Sequence, residues 1–459
     1  MISISVLTSL KQSLIGTMIL PADDGYNESR RLHNGMIDKK PAIIVQCLNI
    51  RDVATCIHFA REHSLLLAVK GGGHNGAGLG MCDDGLVIDL SKMKSVQVNV
   101  TDGTVRAAGG CTLVDIDNAT HSHGMAIASG VMGTTGIGGL TLGGGIGYLT
   151  RKYGLAIDNL LEVSMVLADG TAVTASATQH PDLFWAVRGG GGNFGVVTSF
   201  LFKAHPINMV YGGPMIWTMG DAKAVMQWYR SFIKEASDDI NGFMAFLTVP
   251  PVAHFPEIFH HKRMCAIIWC YTGPMEKVNE LFQSIRNIKQ PAIDLTGPVP
   301  FSTLQSLFDP LLPAGMYWYW KADYISELSD EAIDIHLQYA GSPPAWLSTM
   351  HLYPVNGAAS RINKDATAWH HRDATWAMVI SGIDAEASGK EAITIWANGY
   401  WNALRPYAAG GVYLNFIMDE GHETVQAAYA DNYQRLASIK ARYDPQNLFR
   451  LNHNILPLQ

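Results

Sequence analysis

The sequence predicts an α+β protein of more than one domain, and three observations support this prediction. The chain has 459 residues, which is enough for two or three domains and a large core. In residues 1–207, short apolar runs typical of buried strands alternate with segments of helical periodicity. From residue 208 onwards glycine is less frequent, aromatic residues are common, and helical and strand-like segments continue to alternate.

The elements of the first part are predicted to be short. A helix is expected at residues 53–63, where apolar side chains recur with helical spacing after the segment 42–48. Strands are expected at residues 65–69, 86–90, 105–108, 161–167 and 196–202.

Longer helices and aromatic strands are predicted for the rest of the chain. Helices are expected at residues 222–235, 277–287 and 424–443, and a strand at residues 265–271. The aromatic run at residues 316–321 also has the composition of a strand. This strand either belongs to the core or directs Tyr317 or Tyr319 towards a ligand.

The composition argues against several classes of function. The net charge is −7 and no basic cluster is present, so neither nucleic acid nor a membrane surface is an expected partner. No apolar run is long enough to span a membrane, and the N-terminus does not have the pattern of a signal peptide. The six cysteines lack metal-ligand spacing and are expected to be reduced thiols of a cytoplasmic protein. The pair His260–His261 is interpreted as a surface turn, so no metal site is predicted.

Glycine is concentrated in three short stretches. Of the 45 glycines, six lie in residues 71–80, nine in residues 130–147 and five in residues 189–195. Exposed N–H groups of such loops form concavities that bind anions such as a pyrophosphate. The first stretch contains a G-x-G-x-x-G match, but the following Gly-Ala-Gly-Leu-Gly cannot begin a helix, which disfavours a Rossmann dehydrogenase. His74 lies within this stretch, beside whatever the loop binds.

Four segments, taken in order, resemble the signatures of one family. They occupy residues 70–75 with 85–91, residues 136–147 with 151–159, residues 182–198, and residues 443–449 with 452–455. Together they resemble the FAD-linked oxidases of the vanillyl-alcohol-oxidase (PCMH-type) fold. The last segment is similar to the C-terminal signature of the berberine-bridge-enzyme-like branch, and the second is most similar to its bacterial members.

The resemblance implies an architecture and a cofactor. Residues 1–207 are expected to form a PCMH-type FAD-binding domain of two subdomains, and residues 208–404 a substrate domain with an antiparallel sheet covered by helices. Residues 405–459 are expected to return to the FAD domain. In the family, FAD lies between the two subdomains, its pyrophosphate rests on the glycine loops, and a histidine at the place of His74 bonds to the 8α-methyl carbon.

The resemblance also assigns candidate cofactor contacts to the matching positions. These are Lys70, Gly71, Gly72, Gly73, His74, Asn75, Gly80, Met81, Thr135, Gly136, Gly139, Thr141, Gly144, Ile146, Gly147, Val197, Asn452 and Asn454. Lys70 is expected to present its charge to a phosphate. Doubly linked members carry a second attachment cysteine, and this chain has Met132 at that position, so a single covalent link through His74 is expected.

The catalytic base is less determined. Family members carry a tyrosine or a glutamate base at two positions, where this chain has Phe416 and, counting from the preceding His-Arg pair, Met378. Neither side chain can accept a proton. Tyr413, Tyr353 and His351 remain as candidate catalytic residues, although buried tyrosines often serve only as structural hydrogen-bonding groups.

Tyr413 is the first choice among these three. If residues 413–416 continue a strand, Tyr413 and Asn415 face the same side and Phe416 turns away.

The function implied is oxidation of a small molecule. A small amine or secondary metabolite would give hydride to flavin N5, and O2, the expected electron acceptor, would yield H2O2. Oxidation of an alcohol or sugar hemiacetal is the alternative within the family, and a catalytically silent flavin-binding protein is the alternative outside it. The protein is expected to be a monomer or a homodimer.

Overall fold

The computed structural model describes residues 2–459 and contains three β-sheets. The strands within this range are β1 (Thr17–Ile19), β2 (Ile43–Gln46), β3 (Leu67–Lys70), β4 (Leu86–Asp89), β5 (Val96–Asn99), β6 (Thr104–Ala108), β7 (Leu160–Val166), β8 (Ala172–Ser176), β9 (Val196–Lys203), β10 (Met209–Thr218), β11 (Ile240–Thr248), β12 (Arg263–Tyr271), β13 (Ile293–Asp294), β14 (Gly297–Pro300), β15 (Tyr317–Ile325), β16 (Thr349–Pro354) and β17 (Trp376–Asp384). The α-helices are α1 (Ile4–Ser13), α2 (Tyr26–Ser29), α3 (Ile50–Glu62), α4 (Leu113–His121), α5 (Ile137–Leu142), α6 (Thr150–Tyr153), α7 (Pro181–Val187), α8 (Ala222–Glu235), α9 (Val278–Arg286), α10 (Phe301–Gln305), α11 (Asp330–Ala340), α12 (Lys390–Leu404), α13 (Gly421–Tyr429) and α14 (Tyr433–Tyr443).

Two of the sheets are formed by the first half of the chain. The smaller sheet has the order β1-β2-β4-β3, and β4 runs parallel to both of its neighbours. Every residue of β4 is buried, as expected for a parallel strand covered on both faces. The second sheet, β5-β6-β9-β7-β8, is antiparallel throughout.

The third sheet is antiparallel and has eight strands in the order β13-β10-β12-β11-β16-β17-β15, with β14 beside β10. Helices α8, α9, α11 and α12 bury apolar side chains against one face of it. The other face packs against residues 146–157 and the segment around Tyr413. The mixed α+β architecture is therefore confirmed, and one face of this large sheet is directed towards the first half of the chain.

Most predicted elements appear close to their expected positions. The helix predicted at residues 222–235 is α8 with the same bounds, and its buried residues Val225, Met226, Tyr229 and Ile233 follow helical spacing. The strand predicted at residues 265–271 lies within β12. The prediction at the first glycine-rich segment is also confirmed, because turns rather than a helix follow residue 71.

The prediction of one continuous helix at residues 424–443 is wrong. The chain forms α13 and α14, separated by a short 3-10 turn at Ala430–Asn432. Ala430 has φ of 44°, which no α-helix accommodates. The buried amide of Asn432 donates hydrogen bonds to the carbonyl oxygens of Lys364 and Thr367, and this long-range contact holds the chain at the break.

The histidine pair His260–His261 lies in a turn that follows the 3-10 segment Glu257–Phe259, as predicted. His261 has φ of 60°, which is typical of a turn residue. Within residues 2–459, no group of three or more His, Cys, Asp or Glu side chains is arranged to hold a metal ion. Over the same residues, none of the helices combines the length and the apolar character needed to cross a membrane.

A buried carboxyl group lies where α4 packs against α10. Asp117 on α4 is 4% exposed, its Oδ2 atom has no hydrogen-bond partner, and the side chain of Gln305 is next to it. Burial raises the pKa of Asp117 to about 7, whereas the unfolded chain releases this proton near pH 4. Between these values the folded protein holds a proton that the unfolded chain has lost, so the free energy of unfolding falls as the pH rises.

We therefore predict that Asp117→Asn stabilises the protein in a pH-dependent way. The variant should match the wild type near pH 4 and gain up to about 1.4 kcal/mol for each pH unit crossed towards pH 7. Urea unfolding at both ends of this range measures the difference. The exposed Asp24→Asn is the matched control and should show no such trend. An Asp117→Asn advantage that is the same at all pH values would contradict the prediction.

Candidate active site

A cavity lies between the first half of the chain and the eight-stranded sheet. Its volume is about 330 Å³, within the range of small-molecule and cofactor sites. The glycine-rich stretches at residues 71–80, 130–143 and 189–195 line one side. Side chains of β16 and β17 line the other side, and residues 413–416 and 451–453 close it.

Two of the glycine-rich segments approach each other very closely. A Cβ atom at Gly72 would collide with the backbone nitrogen of Gly136, and a Cβ atom at Gly136 would collide with that of Gly72. Only glycine permits this contact at either position. The loop that carries His74 is therefore held directly against the N-terminus of α5.

His74 is held by contacts on two sides. Its Nε2 atom lies 3.1 Å from Oγ1 of Thr134, and its ring stacks on that of His33 with the centroids 4.0 Å apart. Burial, with a smaller contribution from His33, lowers the pKa of His74 to about 3. The imidazole is therefore neutral at physiological pH, and a neutral imidazole has a lone pair available for bond formation.

Lys70 lines the cavity, but its charge already has a partner. Its Nζ atom donates to the carbonyl oxygen of Ser29 at 2.9 Å and lies 3.4 Å from Oδ2 of the buried Asp89. The sequence predicted that the Lys70 charge faces a phosphate. In the structure, much of this charge is instead balanced by the Asp89 carboxylate.

Most of the predicted cofactor residues come together around the cavity. The predicted residues that line it are Lys70, Gly71, Gly72, Gly73, His74, Asn75, Gly80, Thr135, Gly136, Gly139, Ile146, Val197 and Asn452. The predicted residues outside its lining are Met81, Thr141, Gly144, Gly147 and Asn454. Met81 is fully buried in a small apolar cluster with Tyr26 and Leu32, and Gly147 packs against the backbone of Ser129.

Tyr413 lies in the cavity wall with its hydroxyl fully engaged as an acceptor. The Gly145 amide and the Asn415 side-chain amide each donate to this oxygen at 2.9 Å. Burial is the main influence on its pKa, which is raised, and the two donors partly oppose this. The predicted strand is absent, because Leu414–Phe416 form a 3-10 turn. This turn brings Phe416 into the cavity lining, so the prediction that Phe416 points away is wrong.

Tyr353 and His351 lie on β16 and form a hydrogen-bonded pair in the cavity. The Tyr353 hydroxyl and Nδ1 of His351 are 2.7 Å apart. Burial lowers the pKa of His351 to about 3 and raises the pKa of Tyr353 well above its ordinary value. Both groups are therefore neutral over the physiological range.

The aromatic strand β15 faces the cavity with its two tryptophans rather than with the tyrosines considered as ligand contacts. Trp318 and Trp320 line the cavity, whereas Tyr317 and Tyr319 do not. Tyr319 packs on the helix side of the sheet, because alternate residues of a strand face opposite sides. Met378 is likewise buried on the helix side, and Val379 lines the cavity instead.

Comparisons with known proteins agree with this site. The family profile described as an FAD binding domain matches residues 41–176, and the profile described as berberine and berberine like matches residues 412–456. The FAD-linked oxidoreductase YgaK of Bacillus subtilis is 30% identical over 458 residues, covering 98% of each chain. The chain belongs to the berberine-bridge-like FAD-linked oxidoreductases.

A further relative and two solved structures extend the comparison. The (R)-6-hydroxynicotine oxidase of Paenarthrobacter nicotinovorans is 28% identical and covers 97% of each chain. The crystal structure of 6-hydroxy-D-nicotine oxidase from Arthrobacter nicotinovorans superposes with a TM-score of 0.86 at 27% identity, covering 96% of this chain and 98% of that one. Chitooligosaccharide oxidase has the same fold, with a TM-score of 0.87 at 22% identity over 99% of this chain and 100% of that one.

Several residues around this cavity carried no signal in the sequence. His33 and Thr134, which contact His74, lie 41 and 60 residues from it along the chain. Trp318, which leans on His33 with ring centroids 5.3 Å apart, is still more distant. The glycine stretch at residues 189–195 was visible as a motif, but only the structure places it at the cavity.

Proposed function

We propose that this FAD-linked oxidoreductase takes hydride from a small amine or secondary metabolite and uses O2 as its electron acceptor. The observation that carries the proposal is the composition of the cavity. One side consists of glycine loops suited to a dinucleotide, and the other is an aromatic chamber with few polar groups. When bound, the flavin supplies the two-electron chemistry, while the protein positions the substrate.

The space beside the glycine loops supports the binding of FAD at this position. A Cβ atom at Gly139 would meet no heavy atom within 4 Å, and one at Gly71 would meet nothing closer than 3.8 Å. The glycines therefore leave room on the cavity side for a group that approaches the backbone. His453 also lines the cavity, and its Nε2 atom is buried without a hydrogen-bond partner among residues 2–459, as expected where a polar ligand supplies one.

We assign FAD to residues 1–207 together with 405–459, and the substrate to the face of residues 208–404 that lines the cavity. In this arrangement His74 forms the single covalent link to the flavin. The neutral imidazole supports this role because it is the nucleophilic form. The cavity-lining cofactor residues named above hold the dinucleotide, and Met81, Thr141, Gly144, Gly147 and Asn454 are left out of this set.

Anaerobic reduction of the flavin tests the proposed function. The purified yellow protein is mixed with a panel of amines, alcohols and sugars, and bleaching of the flavin spectrum identifies the substrate class. Subsequent admission of air should restore the spectrum and release H2O2. A persistent bleached spectrum in air would contradict the oxidase assignment. No bleaching with any class would favour a silent flavin-binding protein.

Oxidation of an alcohol or sugar hemiacetal is the second candidate. The observation that favours it is the pair Tyr353–His351, which offers a proton acceptor in a chamber otherwise lined mainly by apolar side chains. Bleaching of the flavin by the alcohols or sugars of the panel, and not by the amines, would support this second candidate.

We predict a single flavin link and no flavin–sulfur bond. Met132 lines the cavity at the position of the second attachment cysteine, and its thioether cannot replace a thiolate in that bond. Within residues 2–459 all six cysteines are buried, and none of them lines the cavity. Peptide mass spectrometry of the denatured protein should find flavin only on the peptide with His74. Flavin on a cysteine-containing peptide that lacks His74 would refute the prediction.

A further inference from the structure

Three tyrosines line the cavity. Tyr429 lies beside the glycine loop at Gly191, whereas Tyr413 and Tyr353 both pack against Phe416. The hydroxyls of Tyr413 and Tyr353 differ in what they can still accept. A phenol oxygen has two lone pairs and one hydrogen. Both lone pairs of Tyr413 are occupied by the donors Gly145 and Asn415. Tyr413 can therefore donate its hydrogen to a ligand, but it cannot take up a proton without breaking one of these bonds.

The Tyr353 hydroxyl, in contrast, can still accept hydrogen bonds. His351 Nδ1, at 2.7 Å, is its one hydrogen-bond partner among residues 2–459. If His351 carries its hydrogen on Nε2, Nδ1 accepts from the Tyr353 hydroxyl and both phenol lone pairs stay free. Both side chains line the cavity, so these lone pairs are accessible to a substrate.

The surroundings keep this pair uncharged. The ring of Phe243 lies 4.7 Å from that of Tyr353 and 5.3 Å from that of His351, and Phe416 lies 5.4 Å from Tyr353. The titratable neighbours are Arg263, whose charge lowers the pKa of His351 further, and Tyr148, which is itself neutral because burial raises its pKa. Arg263 and Tyr148 therefore do not change charge in the physiological range.

We propose that Tyr353 and His351 act together as the proton acceptor for substrate oxidation. Tyr353 is the catalytic residue that takes the proton from the O–H or N–H group on the carbon being oxidised. His351 is the positioning residue, which accepts the Tyr353 proton at Nδ1 in the same step. The inference rests on the proposed function and deepens it, because it specifies a substrate with such a hydrogen.

The atoms and electrons of this step balance. The C–H bond breaks with its electron pair, which goes to FAD as the oxidant, and the O–H or N–H bond gives up its proton. New bonds form between that proton and Tyr353 Oη, and between the former Tyr353 proton and His351 Nδ1. The substrate becomes a carbonyl or an imine. The transfer is favourable only as hydride departs, because the electron-poor carbon then makes the adjacent hydrogen strongly acidic.

Stopped-flow reduction of the holoenzyme by the substrate found in the panel tests the proposal. Tyr353→Phe should slow flavin reduction by about 10²–10⁴-fold, and Tyr413→Phe by less than about tenfold. The matched control Tyr319→Phe, on the helix side of the sheet, should leave the rate unchanged. A Tyr353→Phe rate within tenfold of wild type, or a larger loss in Tyr413→Phe, would overturn the proposal.

The pH profile separates the relay role of His351 from a structural one. With the pair intact, the reduction rate per uncharged substrate molecule, which divides out the ionisation of an amine substrate, should be constant from about pH 5 to about pH 9, because neither group titrates there. His351→Phe removes the acceptor, so its rate should rise with pH as the Tyr353 phenolate becomes more populated. A wild-type rate that already rises tenfold per pH unit would show that a lone ionising base acts instead.

A measurement without substrate distinguishes failure of this inference from failure of the proposed function. Long-range 15N–1H spectra of histidine-labelled holoenzyme, assigned with His351→Gln, report the tautomer of His351. The expected result is a neutral ring with hydrogen on Nε2 throughout the range. A hydrogen on Nδ1, or a protonated ring, would overturn the inference. An absence of flavin reduction with every class, with the expected tautomer present, would instead reject the proposed function.

Discussion

Replacement of His74 by alanine is expected to abolish covalent flavin attachment entirely, while the protein still binds FAD. The imidazole is the nucleophile in the proposed bond, and alanine offers no replacement. The remaining cavity wall, including the contact between Gly72 and Gly136, does not depend on this side chain. Acid precipitation should therefore leave flavin with the wild-type pellet and release all of it from His74→Ala.

The control for this variant is His123→Ala, an exposed histidine far from the cavity lining. It should retain the full covalent content. The low pKa of His74 adds a second expectation, because the ring remains neutral at all pH values well above 3. The yield of covalent flavin should then be similar from about pH 5 to about pH 9. Release of FAD from the acid-treated wild type would show that the link does not exist.

Lys440→Met is expected to cause the largest loss of stability. Lys440 on α14 and Asp444, which directly follows this helix, are both fully buried and lie 2.7 Å apart. Lys440 also donates to the carbonyl oxygen of Asn193, and Asp444 accepts from the amides of Leu448 and Phe449. Removal of the cation leaves the Asp444 carboxylate buried without a countercharge, which costs about 3–5 kcal/mol.

Urea unfolding of the holoenzyme measures this loss. Lys364→Met provides the matched control, because Lys364 forms an ion pair with Asp431 in which the side chains are 58% and 77% exposed. An exposed pair contributes at most about 1 kcal/mol. Since Asn193 lines the cavity, Lys440→Met should also weaken the retention of non-covalent FAD in the His74→Ala background. Equal losses in the two lysine variants would contradict the argument.

Elements were predicted correctly where the pattern that specifies them lies within a few consecutive residues. Helix α8 was predicted with its observed bounds because its buried face is encoded within fourteen consecutive residues. The first glycine stretch was recognisable because its composition alone excludes an ordinary helix or strand, whereas the second stretch contains the short helix α5. The break between α13 and α14 depends on the amide of Asn432 and on carbonyl groups more than sixty residues earlier, which no local pattern contains.

Site residues were harder to predict where their orientation depends on another part of the chain. The aromatic run on β15 was correctly expected to be a strand, but which face meets the cavity is set by packing of α12 on the other side. Trp318 and Trp320 therefore replaced Tyr317 and Tyr319 in the cavity wall. Similarly, the 3-10 turn at Leu414–Phe416 reversed the expected direction of Phe416.

The wall of the cavity combines residues that the ribosome adds at very different times. His33 and His453 both line it, and about 420 residues separate them. A ribosome adding 5–20 residues per second needs roughly 20 to 85 seconds between the two. A complete flavin pocket therefore cannot exist on a nascent chain during that interval. Flavin capture that needs the complete wall is therefore expected only after residue 453 has been synthesised.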